Sequence, residues 1–123
     1  MRINSLPSGW KLYKLSKVAD FVGGSQPPKS TFFKKELDGY VRLIQIRDYK
    51  SDNFKVYIPT NVTKKFCEED DVMIGRYGPP VFQILRGLKG AYNVALMKAI
   101  PQEHIISKDY LFKLLQAPTK KSS

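Results

Sequence analysis

A chain of 123 residues, 42% of them hydrophobic and 12% aromatic, has the composition of one globular domain large enough to bury a core without covalent staples. A single cysteine excludes an internal disulfide framework. With no apolar leader and no run approaching the roughly eighteen apolar residues of a membrane span, a soluble, cytoplasmic protein without a membrane partner is expected. Twenty-one Lys and Arg against 11 Asp and Glu leave a net charge of +10, shared by both halves of the chain rather than held in a tail, and nucleic acid is the partner such a surface fits best.

Leu6-Pro7-Ser8-Gly9-Trp10 reads as a turn delivering a short half-buried strand in which Trp10 and Leu12 alternate with Lys11 and Tyr13. Leu15 to Val22 follows as a helical turn running into a strand, with Leu15, Val18, Phe21 and Val22 facing inward. Gly23 to Thr31 has no apolar period, and its Gly-Gly and Pro-Pro pairs mark a surface loop. That loop is either a solvated linker or a recognition loop offering amide and ammonium groups such as Gln26 and Lys29.

Val41 to Ile46 is the clearest strand, apolar on both faces and therefore central in its sheet. It ends in Arg47-Asp48-Tyr49-Lys50, where Arg47 suits a phosphate or a guanine edge, and where Asp48 either pairs with Arg47 or caps the next turn. Tyr57 to Thr60 is a further extended piece, and Asn61 is read as the N-cap of a helical turn reaching Phe66. Cys67 beside the acidic run Glu68 to Asp71 has its thiol pKa pushed up, which argues against a reactive cysteine, and the run itself reads as a solvated turn.

Three apolar runs then alternate with turns that carry glycine and positive charge: Val72 to Ile74, Val81 to Leu85 and Ala91 to Met97, the last continuing to Pro101. An ordinary antiparallel meander accounts for them, and so does a sheet whose turns carry Arg76, Arg86 and Lys89 to a polyanion. Ser107 caps a final amphipathic helix with Leu111, Leu114 and Leu115 inward, which breaks at Pro118 and leaves a polar tail over 117–123. The expected architecture is α+β: a twisted, mostly antiparallel mixed sheet with a few short helices and this C-terminal helix.

One His and one Cys cannot build a zinc site, and no phosphate-cradling glycine loop or nucleophile elbow occurs. The only fragment with catalytic character is Asp48-Tyr49-Lys50 with Asp38 upstream, a set from which a small Mg²⁺-dependent nuclease could be built and which chance spacing also supplies.

Five segments taken in order resemble the target recognition domain of type I restriction-modification specificity subunits. They are Leu6 to Trp10 with Leu15 and Val18, the Gly23-Gly24 loop, Leu43 to Asp48, Asp71 to Gly78, and Tyr92-Asn93-Val94. The resemblance covers about residues 6 to 116 and implies a non-catalytic module that reads one half of a split double-stranded DNA site. It places S-adenosylmethionine on a partner methyltransferase subunit, with no cofactor on this chain, and adds a restriction subunit to the assembly. Asp70 stands where the family usually has glycine, and the long helix that follows the domain in the family is absent, so the chain is expected to be a partial domain spanning 1–116. Gln26, Lys29, Arg47, Arg76, Tyr77, Lys89 and Asn93 are the expected DNA face, with Arg76 and Asn93 as base readers and Lys29 and Lys89 on phosphates.

Overall fold

Alternation decides which way the central strand faces. Val72 and Ile74 enter one cluster with Ala19, Ala99, Leu111 and Leu115, while Met73 between them enters a second with Ile44, Cys67, Tyr92 and Leu96. A strand apolar on both faces needs a layer on each, and here it has a helix on one side and a second sheet on the other.

The computed structural model describes residues 17–78 and 82–121; Trp10, Leu15 and the strand expected around Trp10 lie outside them. The strands are β1 (Ala19–Gly23), β2 (Tyr40–Ile44), β3 (Val56–Pro59), β4 (Phe66–Cys67), β5 (Val72–Gly75), β6 (Gln83–Leu85), β7 (Gly90–Tyr92) and β8 (Leu96–Pro101). They are followed by one helix, α1 (Lys108–Lys121), and interrupted by 3-10 turns at Lys29–Thr31, Ile46–Tyr49 and Thr60–Val62.

The class is α+β as expected, but the strands form two four-stranded sheets instead of one. The first has the order β1-β8-β5-β6 and the second β3-β2-β7-β4. Every pairing is antiparallel except β2 with β7. β2 is an inner strand, as its two apolar faces require: Ile44 enters the core between the sheets, and Leu43 joins Ile58, Ala91 and the partly buried Phe32 on the outer face.

The run Ala91 to Met97 corrects the sequence reading, because it is two strands in two sheets. At Asn93 the chain leaves the second sheet for the first through a turn in which Asn93 Oδ1 accepts the Ala95 N–H at 3.0 Å, and Leu96 N donates to Asn93 O at 3.0 Å. Asn93 N meanwhile donates to Ile44 O at 3.1 Å, Gly24 N to Leu96 O at 3.0 Å and Ser25 N to Tyr92 O at 3.3 Å. The Tyr92 hydroxyl donates to Val22 O at 3.1 Å, and burial pushes its pKa up to about 12. One junction thus holds β1, β2, β7 and β8 together. Gly24 sits against it so closely that a Cβ there would collide with the carbonyls of Tyr92 and Asn93.

Other expectations are corrected locally. The turn after β3 is capped by Pro59 rather than Asn61, because the 3-10 turn starts at Thr60, two residues earlier than expected, and it ends at Val62 instead of reaching Phe66, which opens β4. Ser107 caps α1 as read, its Oγ accepting the Tyr110 N–H at 3.1 Å, but the helix continues through Pro118 to Lys121. A proline so near the end withdraws one backbone donor from the ladder without ending it, so the helix covers most of the expected polar tail.

The acidic run is only partly solvated. Asp71 is buried, its Oδ2 accepts the Glu68 N–H at 2.8 Å, and it pairs with Lys108 at 2.9 Å and Lys98 at 3.8 Å. Burial alone would push its carboxyl up; the Glu68 N–H, Lys108 and Lys98 overcome this and hold it below the usual carboxylate value. The Lys108 ammonium is raised, chiefly by its hydrogen bond to Asp71.

Two outcomes are expected. Gly24→Ala lowers the unfolding free energy by roughly 3 kcal/mol or more in urea titration, since backbone carbonyls cannot yield as a side chain would. In unfolding curves taken across pH, the lowered Asp71 contributes stability that is lost as pH falls below about 4. The raised Lys108 contributes stability that is lost as pH rises above about 10.4. Asp71→Asn flattens the acid limb.

Candidate nucleic-acid interface

β1, β2, β5 and β7 end, and β3, β4, β6 and β8 begin, at the same end of the molecule. Gly23 pairs with Met97, Gly75 with Leu96, and Ile44 with Tyr92. The segments that leave this end are therefore neighbours whatever their separation in sequence: Gly24 to Gln26, Gln45 to Arg47, Arg76 to Tyr77, and the Asn93 to Ala95 turn. Thr63 joins them, its Oγ1 lying 2.7 Å from Ser25 Oγ.

Arg76 is fixed by its backbone and reaches outward. Its N–H donates to Ala95 O at 2.8 Å, its guanidinium donates to Val94 O at 3.3 Å, and that guanidinium lies 6.0 Å from the centre of the Tyr77 ring, itself 57% exposed. Arg47 follows the same pattern with a partner the sequence reading missed, its guanidinium 4.7 Å from the centre of the exposed Phe54 ring. Six residues lie between the two, too many to suggest a pair by local spacing. Ile46 ties the two arginine segments together, because a Cβ on Gly75 would meet its Cδ1 at 3.2 Å. A guanidinium over an aromatic ring keeps its edge free for a bidentate acceptor while the ring limits its rotation.

Gln26, Arg47, Arg76 and Tyr77 are thus exposed around one sheet end. Lys29 opens the exposed 3-10 turn that leads from Gln26 toward the β3 edge, where Phe33 N donates to Tyr57 O at 2.8 Å. Two expected contacts differ. Asn93 is 7% exposed with its Oδ1 engaged in the junction, so it holds this end together and does not present its amide to an adenine edge. Lys89 stands at the opposite end, before β7, 3.6 Å from Glu68 Oε1.

Charge is divided in the same way. Among the described residues, Glu68, Asp70, Asp71 and Asp109 are paired with Lys89, Lys98, Lys108 and Arg86 around the start of α1. Arg86 also donates to Asp70 O at 2.9 Å and covers Phe112, which makes it a clamp on the helix. Lys29, Arg47, Lys64 and Arg76 enter none of these ion pairs.

The nuclease set does not assemble. The Asp48 side chain is 0% exposed, pairs with Arg42 at 3.0 Å and accepts the Gln45 N–H at 2.8 Å, completing a capping box for Ile46–Tyr49. The cap expected of Asp48 is present, but its partner is Arg42 and not Arg47. A surface groove of about 370 Å³ is lined by Asp48, Lys50, Asp52 and Arg86, yet among the described residues no three His, Cys, Asp or Glu side chains gather as metal ligands. Cys67 is buried, and its thiol is pushed up to about 11 by that burial, with Asp71 and Glu68 adding less.

The fold defines a class before any relative is considered: a two-sheet α+β module with arginine-on-aromatic turns at one sheet end. No family model matches the chain. Among solved structures, the HsdS subunit from Thermoanaerobacter tengcongensis superposes with a TM-score of 0.67 at 18% identity, over 89% of this chain and 27% of that one. A structure reported for complex assembly and conformational transition of the type I R-M system superposes with a TM-score of 0.63 at 20% identity, over 82% of this chain and 25% of that one. This chain spans about a quarter of the length of each, and its fold is that of part of a type I restriction-modification specificity subunit, the family its ordered motifs resemble.

Asp48→Ala tests the structural role assigned to that carboxylate. Removing it takes from Arg42 its buried partner, leaving only the exposed Asp52 at 3.4 Å, and removes the cap on Ile46–Tyr49, which together are expected to cost about 3 kcal/mol in urea unfolding, whereas removing an exposed catalytic carboxylate would leave stability nearly unchanged.

Proposed function

We propose that this chain is a DNA target-recognition module that reads one half of a bipartite site. In this role it performs no chemistry itself and directs methyltransferase and restriction subunits to the site in the cytoplasm, S-adenosylmethionine being held by the methyltransferase subunit. The observation that carries the reading is the gathering of Arg47 and Arg76, each beside an exposed ring, at the one sheet end where no acid neutralises them. Fold likeness to part of an HsdS subunit supports it. So does the net charge of +10.

Each side chain has a role in this reading. Arg76 is the main base reader, since a guanidinium bidentate to guanine O6 and N7 discriminates by about 1 to 3 kcal/mol. Gln26 offers the corresponding amide pair for adenine. Arg47 and Lys29 neutralise phosphates on either side. Lys89 is left out because Glu68 already holds it, and Asn93 contributes by fixing the turn against which Arg76 rests. No described helix is long and apolar enough to cross a membrane.

Fluorescence anisotropy with a mixed-sequence duplex at several salt concentrations tests the proposal. If about four to five phosphates are neutralised, log K falls against log salt with a slope of about −4. Arg76→Ala and Arg47→Ala each weaken binding by roughly 5- to 100-fold, and Lys89→Ala changes it by less than about twofold. A wild-type chain with no duplex affinity at low salt would refute the reading.

A further inference from the structure

Phe82 has the only positive φ, 63°, of any non-glycine among the described residues. A bulky side chain rarely adopts that conformation, and a core position that needed the ring would explain it. No such position exists, for Phe82 is 50% exposed, and among the described residues its ring meets neither another ring nor a cation. The fold therefore leaves half of an apolar residue exposed in a backbone conformation that bulky side chains rarely adopt.

Its position gives the ring a use. β5 and β6 pair antiparallel with Gly75 opposite Gln83 as their last pair, so Arg76, one residue after Gly75, and Phe82, one residue before Gln83, both flank the end of this ladder. Tyr77 and Phe54 each lie beside a guanidinium, whereas Phe82, like Phe66 at the start of β4, is exposed with no such partner among the described residues, and Phe82 is the one carried beside Arg76 at the end of the β5–β6 ladder. An apolar ring presented beside a cation is the combination by which proteins part a base step, the ring entering the stack while the cation holds the backbone.

We propose that Phe82 is a wedge that enters the base stack of the bound duplex and opens one step beside the contact made by Arg76. The proposal rests on the DNA-binding reading. It adds that the duplex is deformed, so that sequences with easily unstacked pyrimidine–purine steps are favoured at a position no side chain reads by hydrogen bonding.

The test is to relax a closed circular plasmid of mixed sequence with topoisomerase I in the presence of rising amounts of the full chain, remove protein and measure linking number, with duplex affinity followed separately by anisotropy. Opening a step untwists the duplex, so the wild type is expected to lower the linking number progressively. Phe82→Gly suits the positive φ and removes the ring. It should melt at or above the wild-type temperature and bind within about threefold of wild type, because the gain from the ring is largely offset by the unstacking it causes. It should leave linking number unchanged. A wild type that binds duplex without changing linking number, or a Phe82→Gly variant that still changes it, would overturn the wedge while leaving DNA binding intact. Absence of duplex affinity in the anisotropy arm would refute the underlying reading and the wedge together.

Discussion

The geometry of the candidate interface depends on the turn at Asn93 to Ala95, where the chain passes from one sheet to the other. Three hydrogen bonds tie this turn to two other segments: Asn93 N reaches Ile44 O on β2, and Arg76 reaches it twice, through its N–H to Ala95 O and through its guanidinium to Val94 O. Gly24, with its Cα in contact with the same backbone, bonds to Leu96 O beside it. Segments separated by seventy residues and more, as in the Tyr92 to Val22 and Gly24 to Leu96 bonds, therefore share one support. Side chains that must agree with the spacing of base edges need such a support, because a displacement of about an ångström is enough to lose a bidentate contact.

Electrostatics is arranged around the same axis. The acids of the β4–β5 turn and of α1 take up Lys89, Lys98, Lys108 and Arg86 at the end away from the junction, and this network fastens α1 to the first sheet. Exposed pairs such as Lys89 with Glu68 contribute little to stability, but they cancel charge locally. At the junction end Asp48 and Asp52 are taken up by Arg42, while Arg47 and Arg76 enter no ion pair among the described residues and lie beside rings. Where cations sit matters more here than how many the chain carries.

Much of this was legible in the sequence where local chemistry decides it. The two-faced Val72 to Ile74, the inner strand at Val41 to Ile46, the Ser107 cap and the capping role of Asp48 all follow from spacing within a few residues. What was not legible is long-range. Asn93-Val94-Ala95 looks like continuous strand because nothing local shows that Ile44, Gly24 and Arg76 will converge on it, so one expected strand became two and Asn93 moved from reader to support. Phe54 was missed because its guanidinium partner lies across a turn, and Phe82 because backbone strain leaves no trace in composition. Lys89 differs from Arg76 in lying at the other sheet end and in its pairing with Glu68, a contact between residues twenty-one positions apart.

A fold shared at a TM-score of 0.67 with only 18% identity follows from the same division of labour. Positions that face the two cores need only be apolar and of suitable volume, so they drift among Val, Ile, Leu and Met at little cost. Segments leaving the junction end are bound to it mainly through backbone groups, as with Arg76 N to Ala95 O and Asn93 N to Ile44 O, so their exposed side chains can change without disturbing what holds them. Under the proposed DNA-reading role, that arrangement lets the recognised sequence change by substitution at Gln26, Arg47, Arg76 and Tyr77 while the frame stays the same. Gly24 is the exception, for there the backbone itself fills the space a side chain would need, and the frame rather than the reading depends on it.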